Sequence, residues 1–174
     1  MSLTVSGKWS ADGAGLKLDG FVLPIGLTLD EVAVSGHDVE VSNDPFSIHL
    51  GKDAAAVVRV SCESIAKFLG SRDLGGLRDL EVSTSEGQLV VSATAVVLLP
   101  IRARIFCTLS IREGKMLDIV LESAEPAAAR GLIEKKLAEV NPVLDLTSLG
   151  MNLEITSVEI GDGWVVLKGK GSDY

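Results

Sequence analysis

The sequence predicts an α+β fold, one long curved antiparallel sheet wrapped on two helices. Three observations carry that prediction. Ile101, Ala103, Ile105, Cys107, Leu109 and Ile111 alternate with Arg102, Arg104, Thr108, Ser110 and Arg112, and only Phe106 falls out of step. Successive side chains of a strand point to opposite faces, so this segment is a strand with one apolar and one solvated face. The form apolar-x-x-apolar-x-apolar recurs at Leu29–Val34, Leu77–Val82 and Ile155–Ile160, each time followed by a glycine turn and a valine-rich return strand. Helical spacing of apolar residues occurs around 61–69 and 127–140. Strands of this kind build a wide apolar face that helices, a second sheet or an apolar ligand must cover.

The elements follow in order. Leu3–Val5 with Trp9, then Leu16–Leu18 after the Asp12-Gly13 turn signal, read as the first strands. Pro24 and Gly26 break Phe21–Leu29 into a bend or edge segment. Val32–Val34 and Val39–Val41 flank Gly36-His37-Asp38 and read as a hairpin; Phe46, Ile48 and Leu50 alternate after Asn43-Asp44-Pro45. Ala54–Val60 is a strand. Ser61 then N-caps a helix to Leu69, with Ile65, Phe68 and Leu69 on its apolar face and Gly70 as its stop. Pro126 suits a first helical position, and Ala127–Val140 follows with Ala129, Leu132, Ile133, Leu137 and Val140 as its apolar stripe. Its mixed polar face (Arg130, Glu134, Lys135, Glu139) favours packing on a sheet over lying on a membrane surface.

At 174 residues and 18.3 kDa the chain suits a single domain, 1–174, able to bury a core without disulfides or metals. Apolar residues reach 47% while aromatics are 4%, so the core is aliphatic and lacks stacking platforms for nucleic-acid bases. A net charge of −8 repels phosphate backbones and gives no electrostatic help toward anionic lipid surfaces, and no nucleic-acid partner is expected. Arg102, Arg104 and Arg112 share a strand face that reads as solvated and edge-blunting. No apolar run reaches the ~18 residues of a membrane span, and Met1–Gly7 reads as the approach to a strand, not as a signal peptide; localisation stays open.

Patterns that carry chemistry are missing. Cys62 and Cys107 read as small buried hydrophobes without CxxC or zinc spacing. His37 falls in a turn and His49 alternates outward on a strand, with no G-x-S-x-G elbow and no cysteine near either. Metal-ligand spacings are absent, and Gly75-Gly76 belongs to no phosphate-binding loop. The expectation is a protein that is not an enzyme and needs no cofactor or metal.

One strand face points elsewhere. Leu89, Val91, Ala93, Ala95 and Val97 lie on it, beside Ile105, Cys107 and Leu109 of the next strand. Small side chains mid-strand leave space, and space lined by aliphatics accepts an acyl chain, covered here by Ala129, Leu132, Ile133 and Leu137. Each buried CH2 contributes about 0.8 kcal/mol. In the competing reading the helices fill that space, leaving a closed-core structural or protein-interaction domain. Asn141-Pro-Val-Leu-Asp-Leu146 is then either a buried corner or the rim of a groove, where Asn141 and Asp145 face a ligand headgroup.

The order of these pieces resembles a known family. The Ser61–Leu69 helix, the Gly87–Ala93 return strand, the Pro126 helix, Asn141-Pro-Val-Leu-Asp-Leu146 and Ile155-Thr-Ser-Val158 before Gly-Trp-Val-Val-Leu are similar to the bacterial LmeA-like phospholipid-binding domains, themselves like the tubular lipid-binding superfamily, over about residues 54–169. The Asn141–Leu146 segment with the Thr-Ser-Val strand is the most specific part. The resemblance implies a curved sheet around a long helix, an elongated apolar groove, and phospholipid or fatty acid as partner. It also implies transient contact with a membrane surface and a cell-envelope setting. It supplies no catalytic residue and no oligomeric state.

Overall fold

The computed structural model describes residues 4–10, 13–23, 25–43, 46–72, 74, 77–96, 100–149 and 151–172, with side chains from residue 15 on except 41–48, 95, 96 and 149. The turn residues Asp12, Asp44 and Pro45, the Gly75-Gly76 loop and Val97 lie outside the described residues.

The strands form two large sheets where the sequence suggested one. β1 (Thr4–Ser10), β2 (Gly13–Val22) and β3 (Thr28–Gly36) run as an antiparallel meander, while β4 (Glu40–Asn43) and β5 (Phe46–His49) pair only with each other. β6 (Ala55–Ser61) returns to β3 and leads into α1 (Cys62–Gly70). A second meander follows: β7 (Leu77–Ser85), β8 (Gln88–Val96), β9 (Pro100–Arg112) and β10 (Met116–Glu125). After a 3-10 turn at Ala127–Ala129 come α2 (Arg130–Val140) and β11 (Leu144–Asp145), which adds to β10. β12 (Leu153–Gly161) and β13 (Trp164–Gly171) then close the first sheet. The strand orders are β1-β2-β3-β6-β13-β12 and β11-β10-β9-β8-β7.

Two of the three repeated units are hairpins. Glu86-Gly87 joins β7 to β8 and Asp162-Gly163 joins β12 to β13, with positive φ at all four residues (51, 78, 52 and 79°), as two-residue type I′ turns require. The third unit differs. β3 does not turn back onto β4, because β6 takes that edge, pairing Ser35 with Ala55. Gly36 makes this approach feasible: its φ is 144°, and a Cβ there would stand 2.4 Å from the Ala54 Cα.

The inner faces of the sheets hold the core. In β9 the expected alternation appears directly, with Ala103, Ile105 and Cys107 buried and Arg102 and Arg104 exposed. Leu18 and Leu23, at 0% and 2% exposure, are the most deeply buried large side chains, each worth about 1.5–3 kcal/mol of transfer free energy. β12 runs across the ends of β7, β8 and β9 and joins the sheets. There Ile155 N donates to Gly114 O at 2.7 Å, and Gly163 N donates to Thr84 Oγ1 at 2.9 Å.

The helices are unequal. α1 is capped by Ser61, whose Oγ accepts from Ser64 N at 3.1 Å, and Asp30 accepts from both Ser61 N and Ser64 Oγ. Phe68 and Leu69 are buried. α2 is shorter than the expected Ala127–Val140 helix, has no side-chain N-cap, and buries Ile133 alone. The resemblance implied a sheet wrapped around this helix; instead it lies at the rim against β10. Its inward stripe is too narrow for the centre of a core, and side chains from both sheets and α1 occupy that place.

Asn152 ties the termini of the first sheet to the loop before β6. Its buried amide accepts from Leu50 N at 2.7 Å and donates to Leu50 O at 2.8 Å and Ser172 O at 3.3 Å. Asn152→Leu strands the Leu50 backbone groups and is expected to cost about 2–3 kcal/mol in urea unfolding. A loss within the ~0.5 kcal/mol of ordinary surface substitutions would refute this role.

Candidate functional site

Among the described residues, apolar space includes three adjoining cavities. The first, about 70 Å³, has Leu89, Val91, Ile105 and Cys107 as its floor. Ile65 and Leu69 of α1 wall one side, and Ile133 and Leu137 of α2 the other. The second, about 60 Å³, lies where the sheets meet, between Leu109 and Leu117 of one sheet and Val165 and Leu167 of the other. The third, about 50 Å³, is set into the first sheet among Leu18, Val32, Ala56 and Leu146. Neighbouring cavities share walls: Ile65, Leu69, Leu89 and Ile119 between the first two, and Leu29, Leu144 and Leu167 between the last two.

These walls are apolar and mostly aliphatic, with Phe21 and Phe68 as their aromatic members. The charged residues among them, Lys136 and Lys168, turn their ammonium groups to Glu139 and Glu159 and contribute their stems. Such a lining offers water no hydrogen-bond partners, so the space suits hydrocarbon. An open groove of about 500 Å³ lies outside, between α2 and β10, with Val120 and Leu121 along it.

Most of the residues anticipated from sequence converge here. Leu89, Val91, Ile105, Cys107, Ile133 and Leu137 line the first cavity, and Leu109 lines the second. Ala93 does not open space; it is 2% exposed and pairs with Ala103, where the sheet is closed tightly. Ala95 pairs its backbone with Leu77 and Ile101, and Val97 is outside the described residues. Ala129 packs on the core at its margin. Leu132 departs from the expected stripe: it is 44% exposed, one residue, about 100° of helix, away from Ile133. The contributions of α1 and of the first sheet were missed. For α1 the signal was its apolar face of Ile65, Phe68 and Leu69.

Asn141 and Asp145 form a corner, the first of the two readings of this segment. Asn141 Oδ1 accepts from Ile119 N at 2.9 Å while its Nδ2 donates to Ile119 O at 2.8 Å, so the amide stands in for the next strand of the sheet. Asp145 Oδ1 accepts from Thr147 Oγ1 and N at 2.6 and 2.9 Å. The Thr147 hydroxyl holds the Asp145 carboxyl below the usual carboxylate range. Val143, Leu144 and Leu146 are buried behind them.

Titratable groups elsewhere are scattered. His37 Nδ1 meets Asp53 Oδ2 at 2.5 Å on the surface, and this bond lowers the Asp53 pKa. Among the described residues no group of three or more His, Cys, Asp and Glu side chains is placed to hold a metal ion.

Cys107 reports on the cavity floor. Burial, with the Glu122 carboxylate nearby, pushes its thiol up to about 11. A thiol with a raised folded-state pKa holds its proton more tightly folded than unfolded. Its contribution is therefore complete below the ordinary thiol pKa of about 8.5 and is lost as pH rises toward about 11. Unfolding measured across that window is expected to depend less steeply on pH in Cys107→Ala than in the parent. Equal slopes would place the thiol in water.

Comparison with curated proteins and with solved structures returns no match. A family model matches residues 10–170, spanning both sheets and all three cavities. The chain, with its aliphatic interior between two antiparallel sheets, belongs to the LmeA-like phospholipid-binding family.

Proposed function

We propose that this chain binds or transfers phospholipid or fatty-acid molecules without catalysing a reaction on them, holding their acyl chains along the line of the three cavities. The observation that supports this is their adjacency: each shares apolar wall residues with the next, in a line from α2 to the first sheet. Family membership supports lipid as the ligand. The setting in a bacterial cell envelope, and transient contact with a membrane there, rest on the resemblance of the sequence alone.

The volumes favour a second reading of the empty protein. A cavity of about 150 Å³ accepts a benzene-sized guest. Each cavity here, at about 50 to 70 Å³, is less than half that, as in a closed-core interaction domain. Acyl binding therefore requires the cavities to join. α2 is the wall suited to yield, since it buries one side chain and packs chiefly on β10. Leu89, Val91, Ile105, Cys107, Leu109, Ile133 and Leu137 are the proposed lining residues, with Ala129 at the margin.

Native mass spectrometry of protein purified without detergent, then incubated with phospholipid vesicles or fatty acid, is expected to show a stoichiometric acyl species. Val91→Phe fills the first cavity and should lower bound lipid about tenfold with a similar melting temperature. A mass that stays free of lipid after incubation supports the closed core. Loading of Val91→Phe equal to the parent would exclude the first cavity from the path.

A further inference from the structure

Beside Leu74 and Leu77 of the first cavity lie exposed apolar side chains of a kind that is scarce elsewhere among the described residues. The inner face of β9 is buried from Cys107 through Ala103 and then emerges at Ile101, which is 47% exposed. Ile101 pairs through Ala95 with Leu77, one of the residues lining the cavity. Leu132 stands on the α2 face shared with Lys136, which also lines the cavity, and is 44% exposed. The third element is the tight turn after β2. Gly26 N donates to Leu23 O, Leu23 N to Leu27 O, and Ile25 projects at 41% exposure. Arg72, just past α1, donates to Ile25 O at 2.7 Å and stacks on Phe68, and Leu74 two residues later lines the cavity. Ile25, Ile101 and Leu132 are thus three of the five large apolar side chains exposed among the described residues. The others, Val120 and Trp164, lie in the outer groove and at the opposite end of α1.

The charges gather at the same end. The chain has seven arginines at a net charge of −8, and Arg72, Arg78, Arg102 and Arg130 adjoin Ile25, Leu77, Ile101 and Leu132 by contact or in sequence. Arg72 touches Ile25 directly, while Arg102 and Arg130 extend from the sides of their strand and helix opposite to Ile101 and Leu132. Arg102, Arg104 and Arg130 pair with Glu81, Glu125 and Glu134, in ion pairs that are exposed and hence weak, and readily exchanged for phosphate.

We propose that this end, with Ile25, Ile101 and Leu132 at its lip, is the face that seats on a phospholipid bilayer, a conclusion that rests on the lipid-binding reading above. The apolar side chains enter the acyl boundary, the guanidinium groups meet lipid phosphates, and the cavity opens toward the hydrocarbon that fills it. A second copy of the chain suits this face less well: a two-fold interface would set the same arginines against one another.

The test is flotation with phosphatidylcholine vesicles, with and without phosphatidylglycerol, alongside native mass spectrometry with a short-chain phosphatidylcholine kept monomeric. The triple variant Ile25→Ser, Ile101→Ser, Leu132→Ser is expected to lose vesicle association about tenfold while still binding the monomeric lipid. Val120→Ser with Trp164→Ser should float like the parent. The proposal is overturned if the triple variant floats normally, if the control pair loses as much, or if the parent binds monomeric lipid but no vesicle. It is equally overturned if the triple variant turns a dimer into a monomer in light scattering, which assigns the face to self-association. A parent that binds neither vesicle nor monomeric lipid removes the lipid reading itself.

Discussion

Everything in this molecule depends on covering two aliphatic sheet faces with each other. Each sheet carries its apolar residues on one side, and β12, laid across the ends of β7, β8 and β9, fixes the sheets so that those sides meet. The composition then decides how well they fill the space. With aromatics at 4%, the interior must be packed from Leu, Val, Ile and Ala, whose branched ends interdigitate but leave gaps where three elements converge. At ~24 cal/mol per Å³, voids of this size cost about 1–2 kcal/mol each. The same choice of residues therefore builds the core and leaves it incomplete along one line.

The two helices divide the work of closing that line. α1 is anchored at its start by Ser61 and Asp30 and inside by Phe68 and Leu69, and it packs on β7 as well as on β3 and β6. α2 has no comparable hold: its first turn is uncapped, Leu132 is in solvent, and its C-terminal end is fixed through the Asn141 amide. Held at one end by the Asn141 amide and at the other by Arg130 on Glu122 O, α2 is the wall that can shift with least disturbance of the sheets.

Local chemistry made part of this legible. The alternation in β9, the Glu86-Gly87 and Asp162-Gly163 turns and the Ser61 cap each depend on a few neighbouring residues, so sequence displays them. What sequence concealed was decided at long range. β3 pairs with β6 instead of β4 because Gly36 accepts Ala54 at close quarters, a fact about residues far apart in the chain. The division into two sheets, the position of α2 at the rim and the share of the first sheet in the cavities have the same origin. Six of the anticipated lining residues reached one cavity because they lie on a single strand face or helix stripe. Asn141 and Asp145 were recognisable as unusual, but only the partners Ile119 and Thr147 reveal what they do.

The Asn141 amide has a consequence for solubility. β11 covers only the first two residues of β10, which leaves Ile119 with a backbone donor and acceptor on an open edge. An unpaired edge in an aliphatic protein is a template on which another chain can polymerise. By presenting one acceptor and one donor from a side chain, Asn141 satisfies that edge with a group that has no further strand behind it. It is a terminator: hydrogen bonding is completed and growth stops. At this one position of the β10 edge, an aliphatic protein is thus closed to a further strand by a single carboxamide.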